Sequence, residues 1–131
     1  MIKDRKFEWG LILLNQPYNC KNSSHVCSNF HDTIEFIGRR WMGVIIYTLM
    51  SGPKRYYEIV ASIPGISDRL LTERLNELVK EGLVTKNFLE SSVKKVEYEL
   101  TPSGLALQEV IIAVRDWIGL REALQNKIEN D

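Results

Sequence analysis

Only two cysteines, Cys20 and Cys27, and two histidines, His25 and His31, occur in these 131 residues. Two cysteines cannot supply the disulfide framework on which small secreted domains rely. The scarcity of histidine leaves no imidazole base outside one short stretch. A Cys-x-x-Cys pair, a Gly-x-Ser-x-Gly elbow and a phosphate-cradling glycine loop are all missing. Catalysis is therefore rejected. Excess charge of either sign is absent too, because 17 Lys/Arg balance 17 Asp/Glu. Any nucleic-acid role must come from where the charges sit rather than from their sum. Long apolar runs are lacking as well. Leu11 to Leu14 is too short for a signal-peptide core, and a membrane span needs about 20 apolar residues. The chain reads as cytoplasmic, with no membrane partner.

What is present is an ordinary globular composition, 44% hydrophobic and 26% charged, which excludes a disordered chain. Residues 1–27 show no clear period and read as an N-terminal arm. From Asn29 the pattern turns helical, with Asn29 as cap, Asp32 in capping-box position, and Phe30, Ile34 and Ile37 on one face up to Gly38. "WMGVIIYTLMSGP" reads as a second, mostly buried helix closed by Gly52-Pro53. "KRYYEIVASI" reads as a third, with Lys54 and Arg55 at its start and Tyr56, Ile59, Val60 and Ile63 as its inward stripe. After the Pro64-Gly65 turn, Ser67 caps a fourth helix. Leu70, Leu71, Leu75, Leu78 and Val79 fill one half of its wheel, and Arg69, Thr72, Glu73, Asn76 and Lys80 lie opposite. Gly82 stops it.

The period then changes to two. "LVTKNFL" and "VEYEL" read as paired strands, with Val84 and Phe88 on one side of the first and "ESSVKK" as the exposed tip between them. Thr101 caps, and Pro102 opens, a long last helix. The expected fold is mainly α with a small two-stranded β wing, a winged helix-turn-helix. Residues 28–101 form its core and 102–131 a C-terminal dimerisation helix.

In such a unit the second helix enters the DNA major groove, which is about 12 Å wide and admits one α-helix. Arg69, Thr72, Glu73 and Asn76 supply donors and acceptors for base edges. Lys54 and Arg55 on one flank and Lys94 and Lys95 at the wing tip suit phosphates. Residues 38–100 hold ten Lys/Arg against eight Asp/Glu, and residues 101–131 hold three against five. The sign of the asymmetry agrees with this assignment. The plainer alternative is a solvated helix face on which Arg69 and Glu73 form an i,i+4 surface pair. Winged helices also serve as protein-interaction modules, so fold alone does not decide.

Five spaced motifs carry a resemblance. They are Gly-x-x-Trp at Gly38 to Trp41, Gly-Pro-x-Arg at Gly52 to Arg55, Gly-Ile-Ser at 65 to 67, Leu-Thr-x-Arg-Leu at 71 to 75, and Tyr-x-Leu-Thr-x-x-Gly at 98 to 104. With them the chain resembles the HxlR family of bacterial transcription regulators from about Cys27 to Trp117. The resemblance implies a homodimeric winged-helix binder of double-stranded DNA. Carried over by position, Ser67, Arg69 and Thr72 fall on the recognition helix and Lys94-Lys95 on the wing. Arg74 lies near the apolar boundary, which favours an internal pairing or a phosphate contact over base reading.

The last helix argues for a dimer independently. Leu105, Val110, Ile111, Val114, Trp117, Ile118, Leu120 and Leu124 cover more than one stripe. Each large apolar side chain left wet forfeits about 1.5–3 kcal/mol. Three or four would rival the ~5–15 kcal/mol net stability of a domain. A two-fold copy of the same surface buries them and predicts a pseudo-palindromic operator. The alternative is that the N-terminal arm covers the excess.

Cys27 stands two residues before the presumed cap Asn29, and a helix N-terminus favours a reactive thiolate. Similarity is to the YodB-type branch, which implies a repressor sensing electrophiles such as quinones, or disulfide stress, through Cys27. In the family the cysteine is often followed by Pro; here Ser28 follows. No cysteine lies in the C-terminal third, so Cys20 is the candidate resolving partner, or Cys27 is simply alkylated. A buried, inert Cys27 is the alternative, with a ligand bound non-covalently between subunits. Cys20, His25, Cys27 and His31 are also four candidate metal ligands. Their gaps fit poorly with C-x₂₋₄-C paired with H-x₃₋₅-H, and neither metal nor other cofactor is expected.

Overall fold

The structure is a computed structural model and describes residues 28–89 and 95–130. It divides into two compact units, residues 1–43 and 44–131. In the first, helix α1 (Ser28–Ile37) ends where the Gly38 amide donates to the Ile34 carbonyl at 2.8 Å. Asn29 lies inside this helix, because the first turn already includes Ser28; the cap expected at Asn29 is not formed. Phe30 and Ile34 are both exposed. Beyond Gly38, the Arg39 guanidinium stacks on the Phe36 ring and that of Arg40 on the Trp41 ring. Trp41 has φ of +72°, and this left-handed residue turns the chain into helix α2 (Met42–Leu49). The buried stripe of α2 is Met42, Ile45, Ile46 and Leu49, spaced at helical period.

In the second unit the order is β1 (Lys54–Arg55), α3 (Tyr56–Ser62), α4 (Asp68–Lys80), β2 (Val84–Phe88), β3 (Val96–Leu100), α5 (Pro102–Ala106) and α6 (Gln108–Asn130). The β2–β3 hairpin is present as the alternation predicts. One correction concerns Lys54 and Arg55, which do not begin the third helix. They form a strand on the free edge of β3, so the antiparallel sheet has three strands in the order β1-β3-β2. Lys54 pairs with Tyr98 and Arg55 with Glu97. Helix α3 begins only after Arg55, whose amide donates to the Glu58 carboxylate at 2.9 Å.

The core of this unit joins Ile45, Ile46, Leu49, Ile59, Ile63, Ile66, Leu71, Leu75, Leu78, Val84, Tyr98 and Leu100. Helix α3 packs on β1 and β3, α4 on β2, and α5 on β3. Val84 is buried but Phe88, on the same face of β2, is exposed, because the packed layer ends between them.

The Thr101-Pro102 start is confirmed: Thr101 Oγ1 accepts the Gly104 amide at 3.1 Å, with Pro102 in the first turn. A second correction is that the last helix is two. Leu107 closes α5 by donating its amide to Gly104 O at 3.1 Å, and α6 starts afresh at Gln108. From Ala113 every residue to Asn130 is exposed.

Candidate nucleic-acid interface

Helix α4 is specified at both ends. Ser67 is the N-cap, its hydroxyl accepting the Leu70 amide at 3.1 Å. Asp68 in the first turn and Lys80 in the last complement the helix dipole. At the far end the Leu83 amide reaches the Leu78 carbonyl at 2.9 Å and the Gly82 amide reaches Val79 O at 3.0 Å. This Schellman closure needs a left-handed residue, and Gly82 has φ of +75°. Leu71, Leu75 and Leu78 are buried and fix the rotation of the helix. Arg69, Thr72, Glu73, Asn76 and Lys80 are thereby all turned outward.

Helix α3 locks this arrangement. The Tyr56 hydroxyl lies 3.0 Å from the Asp68 carbonyl, 3.2 Å from Asp68 Oδ1 and 3.4 Å from Thr72 Oγ1. Sequence reasoning places Tyr56 on the inward stripe without assigning its hydroxyl, since the partners lie beyond the intervening turn. Arg69 Nε sits 3.3 Å from Glu73 Oε1, with 90% of the arginine side chain exposed. The surface pair that the i,i+4 spacing allows is therefore formed, but it is worth little at such exposure. Arg74 pairs with Glu77 at 2.8 Å, part-buried, the internal pairing that its position on the wheel favours.

The flanks differ from expectation in detail. Lys54 and Arg55 reach the surface from a sheet edge, and the Arg55 guanidinium lies over the Tyr57 ring at 5.2 Å. Among the described residues, Arg55 Nε is buried with no hydrogen-bond partner. Lys86, which sequence reasoning does not single out, pairs in register with Tyr98, as Lys54 does from the other side. The strand alternation that puts Val84 and Phe88 on one face also puts Lys86 there. Lys95 is exposed at the base of the wing, where its carbonyl accepts the Leu89 amide at 2.7 Å. Lys94 lies outside the described residues. Tyr98 is buried, and burial pushes its phenol up from the ordinary value, helped by the neighbouring Tyr56.

On the C-terminal helices Leu105, Val110, Val114, Trp117, Ile118, Leu120 and Leu124 are exposed in the single chain, and Ile111 is half-buried. Glu109, Val110, Ala113, Val114 and Trp117 line an open groove. Among the described residues no helix is long and apolar enough to cross a membrane. Cys20, His25 and Cys27 lie outside the described residues. His31 is exposed and pairs with Glu35 at 3.1 Å, and no cluster among the described residues is suited to a metal.

Residues 36–125 match the family described as HxlR-like helix-turn-helix. The chain is 41% identical over 92 residues to the transcriptional regulator YodB of Bacillus subtilis, covering 70% of this chain and 82% of YodB. The crystal structure of quinone-bound YodB matches with a TM-score of 0.64 at 38% identity, over 72% of this chain and 99% of that one. The redox regulator HypR in its oxidised form matches with a TM-score of 0.63 at 32% identity, over 68% of this chain and 92% of that one. These relatives are regulators and not enzymes, in agreement with the missing catalytic residues. With the sequence matched over most of its length and the fold shared, the chain belongs to the HxlR family of helix-turn-helix transcriptional regulators.

Proposed function

We propose that the protein is a homodimeric repressor that binds a pseudo-palindromic operator and is released from it by thiol-reactive electrophiles acting on Cys27. The observation that carries DNA binding is the outward row Arg69, Thr72, Glu73 and Asn76 on a helix rotationally fixed by Leu71, Leu75 and Leu78. Arginine can present two donors to guanine and asparagine can pair with adenine. Lys54, Arg55 and Ser67 on one side of α4 and Lys94 and Lys95 on the other then meet phosphates.

The dimer is supported by the apolar face of α5 and α6. Leu105, Val110, Ile111, Val114, Trp117 and Ile118 form a surface that one chain leaves largely wet. In this reading residues 1–27 are an arm, 28–101 the DNA-binding core, and 102–131 the dimerisation segment.

Sensing is supported by position and by the relatives. Cys27 immediately precedes Ser28, the first residue of α1, and a helix N-terminus lowers a thiol's pKa. The similar YodB has been crystallised with quinone bound. Electrophilic addition to the Cys27 sulfur, or oxidation by diamide to a disulfide with Cys20, would shift α1 and misalign the two recognition helices. A mobility shift on the DNA upstream of the protein's own gene tests the reading. Retarded DNA that is freed by quinone from the wild type, but not from Cys27→Ser, is expected. Absence of any retarded species would make the fold a protein-interaction module. Release from the Cys27→Ser protein would move the signal to a non-covalent ligand, for which the groove beside Trp117 is the apolar candidate.

A further inference from the structure

The hydroxyl of Thr72 is already engaged within the protein. Thr33 and Thr48, each in a helix, donate Oγ1 to the carbonyl four residues back, at 2.7 Å from Asn29 O and 2.8 Å from Val44 O. Thr72 departs from this habit. Four residues back from it is Asp68, whose carbonyl faces the Tyr56 hydroxyl at 3.0 Å, and Thr72 Oγ1 lies 3.4 Å from that same phenol oxygen. A phenol has one proton to give. Asp68 O and Asp68 Oδ1 both accept from this hydroxyl, at 3.0 and 3.2 Å, and both are closer than Thr72. The phenol proton therefore goes to Asp68, and the Thr72 hydroxyl is left to donate to the phenol oxygen.

This choice selects one of the two helical χ1 rotamers open to threonine and turns its only proton toward α3. Thr72 then has no donor for guanine, for adenine N7 or for thymine O4. With Oγ1 held toward Tyr56, its accepting lone pairs and its γ-methyl remain, and the methyl is the group offered between Arg69 and Asn76 in the outward row. Among the bases only thymine carries a methyl group into the major groove, and a threonine methyl is a known kind of partner for it. Resting on the groove-reading function proposed above, we infer that Thr72 selects thymine by methyl-to-methyl contact rather than by a hydrogen bond, with Tyr56 as the positioning residue that enforces this.

Replacing each operator thymine in turn by deoxyuridine removes the methyl group and nothing else. Full-length protein should show one thymine per half-site whose replacement weakens binding about fourfold, the effect of exposing one methyl group. Thr72→Val keeps the methyl and should bind with near wild-type affinity and the same sensitivity. Thr72→Ser should bind the thymine and deoxyuridine operators equally. The inference is overturned if no thymine responds, if Thr72→Val with an unchanged circular dichroism spectrum loses the operator, or if Thr72→Ser stays sensitive. These outcomes are separable from failure of the DNA-binding reading, in which wild-type protein would retard no fragment at all. Arg69→Ala shifting base preference while every deoxyuridine is silent would sink the Thr72 assignment alone.

Discussion

The Tyr56 hydroxyl sits 3.0 Å from the carbonyl oxygen of Asp68, tying the first residue of α3 to the first turn of α4 across the Pro64-Gly65 turn. Hydrophobic packing of Leu71, Leu75 and Leu78 sets the rotation of α4, but apolar contacts are non-directional and tolerate sliding along the axis. The phenol supplies a directional stop. Tyr56→Phe should cost about 1 kcal/mol, the usual net worth of one hydrogen bond, read as a lower urea midpoint with an unchanged slope. Operator affinity should fall while the salt dependence stays the same, because every phosphate keeps its cation.

Base reading and phosphate neutralisation give opposite signatures. Arg69→Ala is expected to relax preference at one position of each half-site, costing about 1–3 kcal/mol there, with the salt slope little changed. Lys95→Ala should weaken binding to every sequence and reduce the slope of log K against log salt by about 0.9 for each phosphate left without a cation. Fluorescence anisotropy titrations over a salt series, on the operator and on scrambled DNA, separate the two. Identical behaviour of the two variants would contradict the division of labour between α4 and the wing.

Much of this arrangement is legible in the residues. Helix α4 announces itself through the cap Ser67, the leucine stripe and the stop at Gly82, all local signals. The outward row Arg69, Thr72, Glu73 and Asn76 follows from the same wheel. Strand β1 does not, because two residues show no periodicity and its pairing is with Tyr98 and Glu97, more than forty positions away. The break at Leu107 is equally silent, since neither glycine nor proline marks it. The hydroxyl role of Tyr56 is a tertiary fact, set by where the turn delivers Asp68. Cys20, Cys27 and Lys94 lie outside the described residues, so their assignments rest on sequence position and family resemblance.

Gly104 explains part of the Tyr-x-Leu-Thr-x-x-Gly motif. Thr101 donates its hydroxyl to Gly82 O at 2.7 Å and its amide to Leu83 O at 3.0 Å, drawing the start of α5 down on the end of α4. A Cβ on Gly104 would run into the Leu83 carbonyl oxygen and press on the Leu100 side chain. Gly104→Ala should destabilise the fold by about 1–3 kcal/mol, as overpacking does. Thr101→Val, which keeps the shape but loses the cap, should cost about 1 kcal/mol. Thermal unfolding of the two variants tests the order, and a Gly104→Ala protein as stable as wild type would mean the junction can open without cost.

If the apolar face of α6 is where two copies meet, charge placed on it should separate them without unfolding the chain. Trp117 is 55% exposed and Val114 53% exposed in the single chain, so neither holds the core together. Trp117→Glu and Val114→Glu should each sediment as a monomer at concentrations where wild type is a dimer, with circular dichroism unchanged. Both should bind a half-site and a full operator with similar affinity, having lost the effective-concentration advantage of two linked readers. A wild-type protein that already sediments as a monomer would remove the basis for a palindromic operator.

Alkaline pH offers a test of the sheet that DNA binding does not touch. Burial holds the Tyr98 phenol above its ordinary value of 10.0, with Tyr56 adding in the same direction. The folded protein thus retains a proton that the unfolded chain gives up, and stability falls with rising pH wherever that difference exists. Below the unfolded value, about 10, the contribution is fully present; it is lost as pH climbs from there through the folded value. Urea midpoints should therefore be flat up to that point and then decline. Phenylalanine at position 98 cannot ionise, so the decline of Tyr98→Phe over the same window should be shallower than that of wild type. Parallel declines in the two proteins would show that Tyr98 ionises as freely in the folded sheet as in the open chain.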